Sequence, residues 1–386
     1  MSTSYNDITN YYFEINEEEV IRKNGYFKEN RHTPLVQMGL TLDRKGLPVT
    51  YDIFPGNESE KLQLRGTVKS LKDNYDAKKV LIVADSAQNT GDNIYYLDQA
   101  GQGYIFSKPV RNTNENLEEF ILDPTGYVGD KEGFKIKSRF YPADIWVHVW
   151  KDGEYKKVKK TAHQKQVAIY SEKYAIRDRA KRDKMLIKAQ ELIADPSRYE
   201  TVKDKGARRY VAETAEDKSK KKKDDELYLD KEKIMEDEKW DGYYCVITNQ
   251  FDMSDSEILS RYHDLWKIEE SFKITKSDLE TRPIHLSRAD RIEAHFLICF
   301  ISLLILRLLQ KTFEKNRFSI NSIIRTLNNI SCSPDDENLY LFDYRTDVSD
   351  KIGKTFGIDF TRKRMELSEI KKILATVKKH SLHYIF

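Results

Sequence analysis

Cysteine is scarce in this chain: Cys245, Cys299 and Cys332 are the only three in 386 residues. They lie far apart, form no CxxC pair and have no metal-ligand spacing. Their odd number argues against a disulfide framework, and a reducing, intracellular setting is expected. Net charge is also small, with 66 Lys and Arg against 63 Asp and Glu. Overall charge therefore announces no nucleic-acid partner, and any basic surface must be local. The opening residues, Met1 to Asp7, contain no basic-then-apolar leader. The most apolar run, Phe296 to Leu309, falls short of the roughly 20 residues a bilayer span requires. It reads as a buried helix, and the expectation is a soluble cytoplasmic protein without a membrane.

What is present is patterned. Ile8 to Ile15 is β-branched and aromatic and reads as a strand with Asp7 at its start or within it. After a charged, turn-rich segment through Lys28 to His32, Leu35 to Leu42 and Pro48 to Phe54 read as two further strands, joined by the turn Asp43-Arg-Lys-Gly46. A helix is expected over about 62–71. The uninterrupted apolar run Val80-Leu-Ile-Val-Ala84 then reads as a strand covered on both faces, ending on Asp85. A short helix over 92–99 and a strand over 103–107 complete a β-β-β-α-β-α-β order.

From Lys108 the pattern changes. Short strand-like pieces (134–137, 145–150, 166–170) accompany a charged helix over 174–192. The run Lys218 to Glu226 reads as a solvated loop rather than a DNA contact. Trp240 to Thr248 returns to strand character. The stretch Tyr262 to Lys276 holds no helix breaker and reads as one helix. At about 100° per residue, Tyr262, Trp266, Glu269, Lys273 and Lys276 share a stripe, with Glu270 roughly a quarter-turn away. Trp266 is expected in the core, and a core or surface role is expected for His285 and His295. Helices over 288–309, 319–328 and 366–380 and a short strand over 340–344 close the chain.

Three acids stand out by position: Asp7 on the first strand, Asp85 after the most buried-looking strand, and Glu269 on the helical stripe. Each taken alone can be a turn or surface residue. In a ribonuclease H-like mixed sheet the first and fourth strands are neighbours, so their acids can meet and a later helix can bring a third. Three hard carboxylates suit Mg²⁺ or Mn²⁺. Two such ions about 4 Å apart clamp the attacking and leaving oxygens of an in-line displacement at phosphorus.

The strand carrying Asp7, the Val80 to Ser86 strand, and Tyr262…Glu269…Lys276 together resemble a DDE transposase of the insertion-sequence-4 superfamily. That superfamily carries Tyr, Arg, Glu and Lys on the helix bearing the third acid. Tyr262, Glu269 and Lys276 match, and Leu265 stands where the pattern has Arg, so Lys273 or Arg261 would have to supply that charge. The resemblance implies an α/β fold: a ribonuclease H-like mixed sheet flanked by helices, a β-rich insertion before the helix with the third acid, and a helical C-terminus. The implied segments are 1–107 and 249–310 for the catalytic domain, 108–248 for the insertion and 311–386 for the C-terminal region.

It further implies that Asp7, Asp85 and Glu269 are catalytic and ligate two Mg²⁺ or Mn²⁺ ions. Tyr262 and Lys276 would contact DNA phosphate, and Lys273 joins them from the helix geometry. The insertion would touch the transposon end. The implied activity is metal-dependent cleavage and transfer of DNA strands in transposition of an insertion sequence. The partners would be double-stranded DNA, as transposon ends and target, and a second copy on the DNA, in a cytoplasmic, nucleoid-associated setting. Because Asp7 lies so near the start, an N-terminally truncated copy is expected. The alternative is an inactive remnant that binds DNA or dimerises without cleavage.

Overall fold

A computed structural model describes residues 2–25, 33–75, 79–111, 113–129, 133–151, 153–195, 197, 199, 205–214, 227–313 and 318–379. The expected charged turn over 28–32 and the lysine run over 218–226 lie outside the described residues.

In chain order the elements are β1 (Ser2–Tyr12), β2 (Leu35–Asp43), β3 (Pro48–Pro55), α1 (Glu60–Tyr75), β4 (Val80–Ala84), α2 (Gly91–Gln99), β5 (Gly103–Lys108) and α3 (Glu115–Leu122). Then come β6 (Val128–Gly129), β7 (Phe134–Lys151), β8 (Glu154–Ser171), α4 (Glu172–Ala194), β9 (Val211–Glu213), β10 (Leu227–Leu229), α5 (Lys231–Glu238) and β11 (Tyr243–Thr248). The chain continues through α6 (Asp255–His263), α7 (Trp266–Lys273), a π-helical segment (Ile274–Asp278), α8 (Ala289–Thr312) and α9 (Ile320–Asn329). It ends with β12 (Ser333–Pro334), β13 (Leu339–Leu341), α10 (Asp347–Phe356), β14 (Arg364–Glu366) and α11 (Leu367–Lys379).

The chain divides into two units, Met1–Ile82 with Asp264–Phe386, and Val83–His263. In the first, the strands run in the order β3-β2-β1-β4. Strands β1 and β2 pair antiparallel with Asp7 opposite Leu40, and β2 and β3 pair antiparallel around the Asp43–Gly46 turn. Asp43 Oδ1 accepts from the Lys45 and Leu47 amides at 2.8 Å each, and Gly46 takes a positive φ of 80° that an L side chain would strain. The expected neighbourhood of first and fourth strands is therefore present. Every residue of β4 is buried, as its unbroken apolar run requires. Leu40, Leu42, Leu64, Val68, Phe272, Ile292, Phe296 and Leu303 fill the core, each worth about 1.5–3 kcal/mol of burial.

In the second unit the order is β5-β11-β8-β7-β6. The short strand-like pieces of the sequence merge into two 18-residue strands, β7 and β8, paired without a break from Phe134–Ser171 to Lys151–Glu154. Further along, Ala189, Leu192, Tyr199, Ala207, Tyr210 and Val211 form a separate cluster. Buried Asp237 accepts from Tyr210 Oη and Arg209, both at 2.7 Å, beside that cluster.

Three expectations are corrected. The single helix over Tyr262 to Lys276 is interrupted at Asp264 and Leu265, where Lys267 and Ile268 donate to the carbonyls three residues back rather than four. It then passes into the π segment, where the Leu279 amide bonds to the Ile274 carbonyl at 2.9 Å. Trp266 is not in the core: it is 54% exposed, because Ile268 and Phe272 take the inward face. The apolar run near 296–309 is not wholly buried either. Helix α8 is 24 residues long and, by length and composition alone, apolar enough to cross a membrane. Ile292, Phe296, Cys299 and Leu303 face the core, while Leu297, Ile298, Ile301 and Ile305 are exposed.

Candidate active site

In the first unit, β1 presents alternate side chains to the element formed by α7 and the π segment. Tyr5 Oη donates to Asp264 Oδ2 at 3.0 Å. Lys276 Nζ donates to Thr9 Oγ1 and sits 5.4 Å from the Tyr11 ring centre. The Tyr11 hydroxyl shares a 2.7 Å hydrogen bond with Thr275 Oγ1, and burial pushes its pKa well up. Successive strand residues alternate faces, so Tyr5, Asp7, Thr9 and Tyr11 share one face. Asp7 thus lies between contacts to the two ends of the helical element, and Glu269 lies near that element's middle. Asp7 itself is half-buried, and its Oδ1 accepts from the Ile8 amide at 2.8 Å.

A second set of contacts fixes the helix entry. Asp264 Oδ1 pairs with Lys267 Nζ at 2.9 Å, and Lys267 Nζ donates to the Arg44 carbonyl at 3.2 Å. The turn between β2 and β3 is thereby tied to the start of α7. On the inward side Arg307, only 8% exposed, joins α8 to α7. It donates to Glu270 Oε2 at 2.8 Å, to the Lys267 carbonyl at 3.0 Å and to Ser271 Oγ at 2.8 Å. Glu270 is therefore occupied in holding two helices together. Its neighbour Glu269 is exposed, as is Lys273 one turn on.

In the second unit Asp85 follows β4 directly and is exposed. Its Oδ1 accepts from the Ala87 amide at 2.8 Å, an Asx turn. The same loop is held by Asn89 Nδ2 to the Ser107 carbonyl at 2.7 Å, and by Thr90, whose side chain caps α2 at the Asn93 amide. Tyr262 is half-buried on α6, near Tyr244, whose hydroxyl shares a 3.1 Å hydrogen bond with His263 Nε2. Arg261 pairs with Glu257 at 2.6 Å, one turn back on its own helix.

Asp7, Glu269, Lys273 and Lys276 therefore belong to one unit, and Asp85 and Tyr262 to the other. Among the described residues no group of three or more His, Cys, Asp or Glu side chains stands assembled to hold a metal ion. The three acids do supply hard oxygen donors of the kind Mg²⁺ and Mn²⁺ prefer. Asp264, Arg307, Thr9 and Tyr11 escaped the sequence reading. The only local signal among them is Asp264 three residues before Lys267, a helix-surface ion-pair spacing.

A search of curated proteins finds no match. Among solved structures the chain is similar to a piggyBac transposase in a synaptic complex with hairpin DNA, at 8% identity and a TM-score of 0.41. The alignment covers 85% of this chain and 51% of that one, so this chain spans about half the solved chain's length. The profile of the family described as Transposase DDE domain matches residues 19–305, a span that includes Asp85 and Glu269 and starts after Asp7. With most of its length inside that match, the chain belongs to the DDE-domain transposases.

Proposed function

We propose that this protein is a transposase of the insertion-sequence-4 kind that cleaves and transfers DNA strands by metal-dependent phosphoryl transfer. The observation that carries the reading is the division of labour on α7: Arg307 holds Glu270 for structure and leaves Glu269 exposed, on the element that packs over the Asp7 face of β1. Asp7, Asp85 and Glu269 would hold two Mg²⁺ or Mn²⁺ ions. When bound, such ions activate the attacking water or 3′-hydroxyl and stabilise the departing oxygen.

The chain's own part is alignment and charge. Lys273, exposed one turn beyond Glu269, offers a cation to a DNA phosphate. Lys276 supports the same task from its seat on Thr9 and Tyr11, and Tyr262 adds a phosphate contact from α6. The partners are double-stranded DNA and a second copy of the chain on that DNA. The Glu and Lys positions along α7 and the π segment support the superfamily assignment.

The test is Mg²⁺-dependent nicking and strand transfer on DNA carrying the element's ends. Asp85→Ala and Glu269→Ala are expected to abolish both while thermal unfolding stays unchanged. Full activity in either variant would overturn the reading. DNA binding by the unaltered chain with no cleavage in Mg²⁺ or Mn²⁺ would replace it with that of a binding remnant.

A further inference from the structure

Beyond Lys137 and Gln164 the strands β7 and β8 pair only with each other, since β6 meets β7 at Lys135 and Ile136 and β11 meets β8 from Lys165 onward. Directly opposed residues of an antiparallel pair share a face. The register Trp146–Lys159, His148–Lys157 and Trp150–Tyr155 therefore gathers three large rings, two lysines and a histidine on one face. Trp146, Trp150 and Tyr155 are 54%, 65% and 70% exposed. The opposite face carries Ala143, Val147 and Ala162, all buried. Rings more than half in water forgo part of a burial worth about 1.5–3 kcal/mol for a large apolar side chain, and a contiguous set of them suits a contact surface.

The surroundings say what fits. From residue 144 to 160 the sequence has Lys151, Lys156, Lys157, Lys159 and Lys160 against Asp144, Asp152 and Glu154. Lys159 pairs with Asp144 at 2.6 Å and Lys156 with Glu154 at 3.1 Å, both in solvent-exposed settings, where such pairs are worth little and yield readily to a phosphate. Lys157 Nζ stands 5.2 Å from the Trp146 ring centre, and Trp150 and Tyr155 meet edge to face at 4.9 Å. Cations and rings interleaved in this way suit a strand with stacked bases and a charged backbone.

The free edge of β7 is closed by α2. A Cβ on Gly91 would fall 2.1 Å from the Trp146 carbonyl oxygen. Asp92 accepts from the His148 amide at 2.6 Å and pairs with its imidazole at 2.9 Å. A two-stranded ribbon that reads a duplex must fit within a major groove about 12 Å wide, whereas this one is buried on its other face at Ala143, Val147 and Ala162 and flanked by α2, so it offers a single face.

We propose that this face of the β7–β8 ribbon binds unpaired DNA, with bases stacked on Trp146 and Trp150 and phosphates met by Lys157 and Lys159. The inference rests on the transposase reading and adds to it a strand type and a surface. The test uses the full chain in EDTA, with a fluorescein-labelled 20-nucleotide single strand and its duplex. Trp146→Ala/Trp150→Ala is expected to weaken single-strand binding at least about tenfold and duplex binding less than threefold, with circular dichroism unchanged. Trp150→Phe is expected to stay within threefold of the unaltered chain. Lys157→Ala/Lys159→Ala is expected to flatten the salt dependence by about 1.4 in log K against log salt.

Unchanged single-strand binding in the double tryptophan variant would overturn the proposal. So would equal losses for both DNAs, which would seat a duplex there, or a fall in sedimentation mass, which would seat a second copy. Because no metal is present, these outcomes are independent of cleavage: loss of strand cleavage in Glu269→Ala bears on the transposase reading alone.

Discussion

The two faces of α7 differ more than their sequences suggest. Inward, Ile268, Ser271 and Phe272 are buried, and Glu270 is bound to Arg307. Outward, Trp266, Glu269 and Lys273 are exposed. The helix has thus placed a carboxylate and an aromatic ring on each side, with opposite fates. The inward pair supports the fold, and the outward pair is left for whatever arrives from solution. Neighbouring glutamates are thus told apart by a distant partner, here an arginine 37 residues on.

Substitutions can break this contrast. The largest effect on stability is expected for Phe272→Ala, about 3–5 kcal/mol from a cavity beneath the helix, read by chemical denaturation. Glu269→Gln is expected to lower strand cleavage by on the order of 10²–10³-fold with unfolding unchanged, read by comparing a cleavage assay with a melting curve. Equal behaviour of Glu269→Gln and Glu270→Gln would erase the distinction between the faces. Arg307→Ala is expected to cost about 3 kcal/mol, since it leaves Glu270 and the Lys267 carbonyl without their buried donor, again by denaturation. Trp266→Ala closes the series with a stability change within about 0.5 kcal/mol. A larger loss would show that the ring is buried in solution.

Much of the sheet was legible because its signals are local. Alternation, the Asp43–Gly46 turn and the apolar Val80–Ala84 run each name their element within a few residues. The break before α7 was not legible. No proline or glycine marks it; it coincides with Asp264, whose hydrogen bond to Tyr5 spans 259 residues. Trp266 misled for a related reason: helical spacing shows which residues share a face and leaves open which face turns inward. The length of the β7–β8 hairpin was hidden because the outer half of β7 alternates Ile and Val with rings while the outer half of β8 is mostly lysine, so the two strands show no matching core side. Asp7 and Glu269 were picked by position and fall in one unit with Lys273 and Lys276. The role of Arg307 was invisible until α8 was seen to pack on α7.

The π segment at Ile274–Asp278 has a consequence for how this gene tolerates change. A π turn holds one residue more than the α turn it replaces, so it is a length variant frozen into the helix. Losing the Ile274 codon would let the backbone regularise into an α turn at little cost in backbone hydrogen bonds. The helix beyond would keep its facing, because the π turn had absorbed the extra residue, whereas the same loss within α7 would turn Lys276 by about 100° around the axis, away from Thr9 and Tyr11. Point changes test one side chain at a time here, whereas a single in-frame deletion within α7 would re-aim the whole end of the helix.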